Sequence, residues 1–260
     1  MHTWERRIVR IGALMLIIGA VLSVGAFAWT GFSFDGMLEG KAYRQASYAP
    51  EGEFDRVDVS AVDAEIYIQP AQDGVCMVFC DETEDGQYSV EVQDGVLTVR
   101  CDVDWRAGIY FNTKTPKLII ELPEKDYAEM KVHSVSGDVN AAGLRIDALT
   151  VEATSGEIGL VQLTLGSLDV ETVSGDVDVL DSVATGEVNI RTTSGEIELE
   201  NADAASFEIS TVSGDVEGSL CSGKAFDVRS VSGDVKLPQS ASGGAFRVST
   251  TSGDVEIRVK

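Results

Sequence analysis

The chain has 260 residues and a formal net charge of −23, from 43 acidic and 20 basic side chains. So strong a negative charge disfavours nucleic acid and anionic lipid headgroups as partners, because an acidic surface repels both. Apolar residues make up 44% of the chain, which is enough for a sizeable core in one large domain or two ordinary ones.

Residues 1–30 carry the pattern of a cytoplasmic N-tail and a transmembrane helix. Residues 11–29 are almost wholly apolar and uncharged, and a helix of that length covers roughly 28 Å, close to the thickness of a bilayer core. The basic residues Arg6, Arg7 and Arg10 precede this run. They predict a single-pass protein of the cell membrane, with a cytoplasmic N-terminus and an extracellular C-terminal domain.

A cleaved signal peptide is the alternative to this anchor, since Ala26-Phe27-Ala28 fits a cleavage site. We favour the uncleaved helix because the apolar run is long for a signal peptide. Both interpretations export the domain. Residues 31–52 are rich in Gly and also contain Pro50, and they predict a spacer between the membrane and the folded part.

Residues 53–123 predict an irregular N-terminal β region. Residues 61–66 resemble a worn copy of the repeat that follows, and residues 75–80 predict a buried strand. Asp94-Gly95 marks a hairpin turn, and Pro123 ends a strand at 117–122. We expect this region to cap the next segment, because an uncovered coil end is an unpaired sheet edge.

Residues 124–260 are organised by one phrase, Ser-Gly-acid-Val/Ile, which occurs seven times at intervals of 19 or 20 residues. A fixed period in this range is typical of a solenoid whose copies stack as coils. Apolar residues alternate with polar ones on both sides of the phrase, which predicts a strand, a corner and a second strand in each coil. The fold class is therefore an all-β parallel β-solenoid. The predicted corners are Ser136-Gly137, Ser155-Gly156, Ser174-Gly175, Ser194-Gly195, Ser213-Gly214, Ser232-Gly233 and Ser252-Gly253.

The corner residues have a structural interpretation. Glycine permits a positive φ or a tight bend. The serine falls on the same every-second-residue pattern as the side chains that point into the coil. We therefore expect each serine hydroxyl to meet the serines of the coils above and below. A nucleophilic role is disfavoured because seven identical nucleophiles without a base make no chemical sense.

The four cysteines give no metal-binding spacing. Cys76 and Cys80 share a strand face but stand too far apart to bridge each other. Cys101 could bond to either of them, whereas Cys221 stands alone in a return segment. We favour buried free thiols, and we predict no cofactor and no metal ligand.

The repeated phrase, as in Thr172-Val173-Ser174-Gly175-Asp176-Val177, and the strand end Glu121-Leu122-Pro123 resemble a known bacterial family. It is the β-strand-repeat domain of unknown function that carries the name "putative adhesin". The resemblance covers about residues 50–260. It implies an envelope-associated protein, tied in some relatives to envelope stress, and it assigns no catalytic residue.

The leading functional hypothesis is a membrane-anchored, surface-exposed binding or scaffold protein without enzymatic activity. Its ligand would be a protein, a cell-wall polymer or a cationic peptide. One alternative is a calcium-stabilised repeat protein, because one acid per coil forms a column of like charges. A polysaccharide-active enzyme is disfavoured, since the acids recur in register and the only histidines are His2 and His133.

The C-terminal coil predicts an open end of the stack. No capping segment follows Lys260, so we expect the apolar edges of Phe246, Val248, Val255 and Ile257 to be exposed. Two outcomes remain open for this end. Nearby cationic side chains could keep it solvated, or it could self-associate with a second copy by β-augmentation.

Overall fold

The computed structural model describes residues 42–84, 86–103, 115–239 and 243–260. The predicted transmembrane helix at residues 11–29 and most of the predicted spacer lie outside these residues. Every regular element within them is a β-strand. These described ranges contain no helix that could cross a bilayer.

The described part of the chain forms 22 strands. In chain order they are β1 (Arg44–Tyr48), β2 (Arg56–Ala61), β3 (Glu65–Pro70), β4 (Met77–Glu82), β5 (Gly86–Gln93), β6 (Val96–Val103), β7 (Lys117–Leu122), β8 (Asp126–Ser134), β9 (Val139–Ala142), β10 (Arg145–Ser155), β11 (Ile158–Val161), β12 (Thr164–Ser174), β13 (Val177–Leu180), β14 (Val183–Ala184), β15 (Glu187–Thr192), β16 (Ile197–Ala202), β17 (Ser206–Ser210), β18 (Val216–Leu220), β19 (Ala225–Ser232), β20 (Val235–Lys236), β21 (Ala245–Ser252) and β22 (Val255–Val259).

These strands form two 11-stranded sheets. Sheet 1 has the order β1-β4-β7-β3-β9-β11-β13-β16-β18-β22-β20. Sheet 2 has the order β19-β21-β17-β15-β12-β10-β8-β2-β6-β5, with β14 paired to β12. Each coil of the repeat contributes its first strand to sheet 2 and its second strand to sheet 1. The prediction of an all-β, mainly parallel solenoid is confirmed.

Identical columns of the repeat lie directly above one another. Val151 of β10 is in register with Val132 of β8 and Val170 of β12. All three are buried, because residues at every second position of these strands point between the two sheets. Burying one such side chain contributes about 1.5–3 kcal/mol before the entropy cost of ordering the chain. The core is therefore a continuous apolar stack.

The stack continues into the N-terminal region. Strand β2 lies between β8 and β6, and β3 lies between β9 and β7, all with parallel pairing. The worn copy of the repeat at residues 61–66 is thus part of a coil. Strands β1, β4 and β5 pair antiparallel with their neighbours and form the outer edges of this end.

The last two coils stack in the reverse of their chain order. Strand β21 lies between β17 and β19, and β22 lies between β18 and β20. The prediction that the final coil is the open end is therefore wrong. The four side chains that were expected to be exposed are at most 2% exposed: Phe246, Val248, Val255 and Ile257.

The penultimate coil, made of β19 and β20, forms the open end instead. Strand β20 has only two residues, and Pro238 follows soon after it. Proline cannot donate a hydrogen bond to a sheet ladder, so it is tolerated at an edge and disfavoured between two paired strands. The longer β22 has no such interruption and takes the inner position.

Candidate functional site

The corner glycines are required because successive backbones approach each other there. A Cβ built on Gly175, Gly195 or Gly214 would lie 2.0–2.1 Å from the carbonyl oxygen of the glycine in the preceding coil. Real Cβ atoms do not approach a backbone oxygen so closely. Only three of the seven corner glycines have a positive φ. The corner positions therefore need glycine because the backbones of neighbouring coils approach closely there, and not because of a positive φ.

The corner serines face outward, contrary to prediction. Ser136 is exposed and Ser155 is half-buried. Their hydroxyls donate to main-chain carbonyls of the neighbouring coil, Ser136 Oγ to Val62 O at 3.1 Å and Ser155 Oγ to Val135 O at 3.3 Å. The expected ladder of serine hydroxyls inside the coil is wrong, because the corner turns the chain before the serine can enter the core.

The inward hydroxyls belong to the residue two positions before the corner serine, which is Ser or Thr in every coil except the second, where it is Ala153. Ser134 is buried, and its Oγ donates to Gly137 O at 2.7 Å and accepts from Gly137 N–H at 3.1 Å. Four threonines of this column are also buried, but their Oγ1 atoms have no hydrogen-bond partner. They are Thr172, Thr192, Thr211 and Thr250.

The corner aspartates link successive coils through their carboxylates. Asp138 Oδ1 accepts a hydrogen bond from the main-chain N–H of Glu157 at 2.9 Å, and Asp176 Oδ1 accepts one from Glu196 N–H at 2.8 Å. Asp215 accepts from Asp254 N–H at 2.7 Å in the same way. The acidic column therefore has a structural role. In the described ranges no three His, Cys, Asp or Glu side chains lie close enough together to hold a metal ion.

Sheet 1 carries an acidic face on its outer side. We use this name for Asp178, Glu198 and Glu217, which lie side by side on β13, β16 and β18, together with the corner acids next to them. Burial, reinforced by Glu157, Glu198 and other neighbouring carboxylates, raises the pKa of Asp178 to about 6. The face is therefore a surface where ionised carboxylates repel one another.

The acidic face becomes balanced toward the open end of the stack. Glu256 follows Glu217 in register, and Lys236 Nζ lies 2.9 Å from its carboxylate. Arg258 also donates to Glu256. Hydrogen bonds from these two cations hold the pKa of Glu256 below its ordinary value. An open cleft of about 200 Å³ lies between the acidic and the balanced parts, lined by Glu198, Glu200, Glu217, Ser219, Glu256 and Arg258 among others.

The outer side of sheet 2 has mixed charge. Arg191 Nη1 lies 3.2 Å from Asp169, and Arg100 Nη2 lies 2.9 Å from Asp58. His133 is half-exposed beside Glu152, at 3.6 Å, in agreement with its predicted outward position. Exposed pairs of this kind contribute little stability, but they leave sheet 2 without the concentrated negative charge of sheet 1.

A buried ion pair involves a return segment between two strands. The repeat pattern does not reveal this pair. Lys224 is 4% exposed, and its Nζ lies 2.6 Å from Asp203 and 2.8 Å from Ser222 Oγ. Burial would raise the pKa of Asp203, but hydrogen bonds from Lys224 and Ser222 outweigh it and lower that pKa. The amine also donates to Ala204 O at 2.7 Å, so the pair is structural.

The structure forms no disulfide between Cys101 and either Cys76 or Cys80. Cys76 and Cys80 are buried thiols, and burial raises the pKa of Cys76 to about 11 and that of Cys80 to about 12. Thiols of such high pKa are unreactive. Cys221 is exposed, contrary to the expectation of a buried thiol.

Comparison with solved structures finds distant likenesses. One is "a putative adhesin" from Bacteroides fragilis, at 15% identity and a TM-score of 0.49, over 85% of this chain and 100% of that one. Another is "a putative cell adhesion protein" from Clostridium sporogenes, at 14% identity and a TM-score of 0.42, over 84% and 100% of the two chains. A "putative lipid binding protein" from Parabacteroides distasonis is 15% identical with a TM-score of 0.38, over 84% and 97%.

Comparison with curated proteins finds no match. The family described as Toastrack DUF4097 matches residues 54–260, which includes every copy of the repeat. This match covers most of the chain and confirms the resemblance to the β-strand-repeat family. The chain therefore belongs to the Toastrack DUF4097 family.

Proposed function

We propose that this protein is a non-catalytic binding or scaffold protein of the bacterial envelope surface, and that its acidic face on sheet 1 binds cationic peptides or polymers. The observation that carries the proposal is the row of carboxylates at Asp178, Glu198 and Glu217. Neighbouring coils place them in register, and the side chains around Asp178 supply further negative charge rather than cations.

Repulsion within this row favours a multivalent cation as ligand. Two carboxylates about 4.8 Å apart repel each other by about 0.9 kcal/mol in water before screening by salt. A peptide with several amines relieves several such repulsions at once, and the effective concentration of each later amine is high once the first is bound. A single small cation gains only one of these interactions.

The proposed location follows from the sequence. The apolar run at residues 11–29 anchors the chain, and the arginines before it keep the N-terminus in the cytoplasm. The β-solenoid is then held outside the cell membrane, where cell-wall polymers and cationic peptides are encountered. Partners of this kind suit an adhesin-like or stress-related role at the envelope.

The test measures binding of a fluorescent oligolysine peptide to the full chain in detergent micelles. The triple variant Asp178→Asn, Glu198→Gln, Glu217→Gln should bind the peptide about tenfold more weakly than wild type, because three carboxylates are neutralised. The matched control is Asp169→Asn, Glu171→Gln, Glu208→Gln, which removes the same charge from sheet 2 and should bind like wild type. Equal weakening by both triples would contradict a specific site.

The same binding should depend on pH. The pKa of Asp178 is raised to about 6, so its carboxylate is ionised at pH 7 and largely protonated at pH 5. We expect wild-type affinity for the peptide to fall as the pH is lowered over this interval, and the affinity of Asp178→Asn to change less.

A calcium titration separates the proposal from the calcium-stabilised alternative. We expect calcium to displace the peptide only at concentrations far above that of the peptide. Binding of calcium that is tighter than binding of the peptide would favour the calcium-stabilised alternative.

A further inference from the structure

The open end of the stack exposes apolar side chains, and Val231 is more exposed there than the valines at the same repeat position of inner coils, Val173 and Val212 at 52% each. Val231 is 83% exposed and Val235 is 42% exposed, and Leu237 is exposed beside them. Phe226 and Val228 of the same coil are only partly buried against the core. At the opposite end β1 and β5 are also sheet edges, but each pairs antiparallel with its neighbour, whereas β19 is the edge of a parallel array. An apolar sheet edge of this type invites a further strand.

The backbone of β19 offers regular hydrogen-bonding groups on its free side. Ala225 N–H donates to Gly244 O at 2.8 Å, toward the neighbouring strand β21. Because the direction of these groups alternates along a strand of a parallel ladder, the N–H and C=O groups of Phe226, Val228 and Ser230 point away from β21. Among the described strands, these groups form the free edge of sheet 2.

The charged side chains on this edge are complementary to those on the same edge of a second copy. Asp227 and Arg229 flank Val228 and form an exposed ion pair, with Arg229 Nη2 3.3 Å from Asp227 Oδ2 and side-chain exposures of 54% for Asp227 and 79% for Arg229. In an antiparallel pair centred on Val228, Asp227 of one copy faces Arg229 of the second copy, and Arg229 faces Asp227. With this centring, Val228 of one copy lies opposite Val228 of the second copy. The two residues can then exchange both main-chain hydrogen bonds, because their N–H and C=O groups point outward from the edge.

We propose that this edge binds a second copy of the chain, end to end, by antiparallel pairing of β19 with β19 about a two-fold axis at Val228. A two-fold contact uses the same surface on both copies and closes at a dimer. The β19 edge is separate from the acidic face, so dimer formation can be tested independently of cation binding. This dimer also moves self-association from the final coil, where the sequence left it as one of two outcomes, to the penultimate one.

The test exchanges charges at the two exposed positions in the full chain in detergent micelles, with sedimentation velocity as the readout. Wild type should shift from monomer to dimer with increasing concentration. Asp227→Arg and Arg229→Asp should each weaken the dimer at least about tenfold, because each places like charges opposite each other twice in the symmetric contact. Neither side chain is buried, so both variants should keep the wild-type circular dichroism spectrum.

The decisive sample is a mixture of the two single variants. In a mixed dimer the Asp227→Arg chain presents two arginines to the two aspartates of the Arg229→Asp chain, so the mixture should form dimers where each variant alone does not. The double variant Asp227→Arg, Arg229→Asp should dimerise like wild type. A wild type that stays monomeric, a dimer that all variants form equally, or an open series of larger oligomers would each overturn the proposal.

Discussion

The last two coils of the repeat have closely similar sequences and opposite positions in the stack. One reads Phe226-Asp-Val-Arg-Ser and the other Phe246-Arg-Val-Ser-Thr ahead of the same Ser-Gly-Asp-Val phrase. Phe246 is fully buried, with its ring 5.3 Å from the rings of both Phe207 and Phe226. Phe226 has a ring neighbour on one side and only partial burial.

The comparison shows that the repeat defines a coil without defining its neighbours. Each copy presents the same apolar columns above and below, so either coil could pack against the fifth one. The difference between them lies outside the repeated phrase, in the short β20 and Pro238. Position in the stack, rather than sequence, should then decide how much each residue contributes to the free energy of unfolding.

The largest effect is expected from a charge inside the final coil. Val248→Lys should lower the free energy of unfolding by about 3–5 kcal/mol, because the amine is buried between two coils without a partner. The equivalent Val228→Lys should cost less than about 1 kcal/mol, because an edge lysine can extend its amine into water. Urea unfolding followed by circular dichroism measures both. Equal losses would mean that the two coils are equally buried.

The corner glycines should show a smaller difference in the same direction. A Cβ on Gly253 would lie 2.1 Å from Gly214 O, and one on Gly233 would lie 2.1 Å from Gly253 O. Gly253→Ala should destabilise by about 3 kcal/mol, since coils on both sides prevent relaxation. Gly233→Ala should cost about 1 kcal/mol, because the end coil can shift outward. The ratio of the two urea midpoint changes is the measurement, and a larger change for Gly233→Ala would refute the assigned order of the coils.

The smallest effects are expected at the inward hydroxyls, and here the signs should differ. Thr250 Oγ1 is buried without a hydrogen-bond partner, so Thr250→Val should stabilise by about 1 kcal/mol by removing an unsatisfied polar group. Ser230 Oγ donates to Gly253 O at 3.4 Å, so Ser230→Ala should destabilise by about 0.5 kcal/mol. Melting temperatures of the two variants provide the measurement. Destabilisation by Thr250→Val would mean that an ordered water satisfies the hydroxyl.

Part of the candidate site could be predicted from the sequence. The alternation places Asp178, Glu198 and Glu217 between two apolar columns, so their outward direction and shared face follow from the two-residue period of a strand. Their interaction could not be predicted in the same way, since the raised pKa of Asp178 depends on its burial and on Glu157, Glu198 and Asp176 being brought around it. The buried pair of Lys224 and Asp203 was missed because it lies in a return segment, where the repeat has no fixed columns.

The sequence by itself determined the strands, the corners and the apolar core, because each coil repeats the same local alternation and the same Ser-Gly phrase. Only the tertiary structure decided which coil lies at each end, why the corner needs glycine and which hydroxyls enter the core. The physical reason is that these properties depend on the neighbour above and below. A solenoid sequence presents nearly equivalent surfaces to every possible neighbour, so small local features such as Pro238 select among them only when the coils are packed.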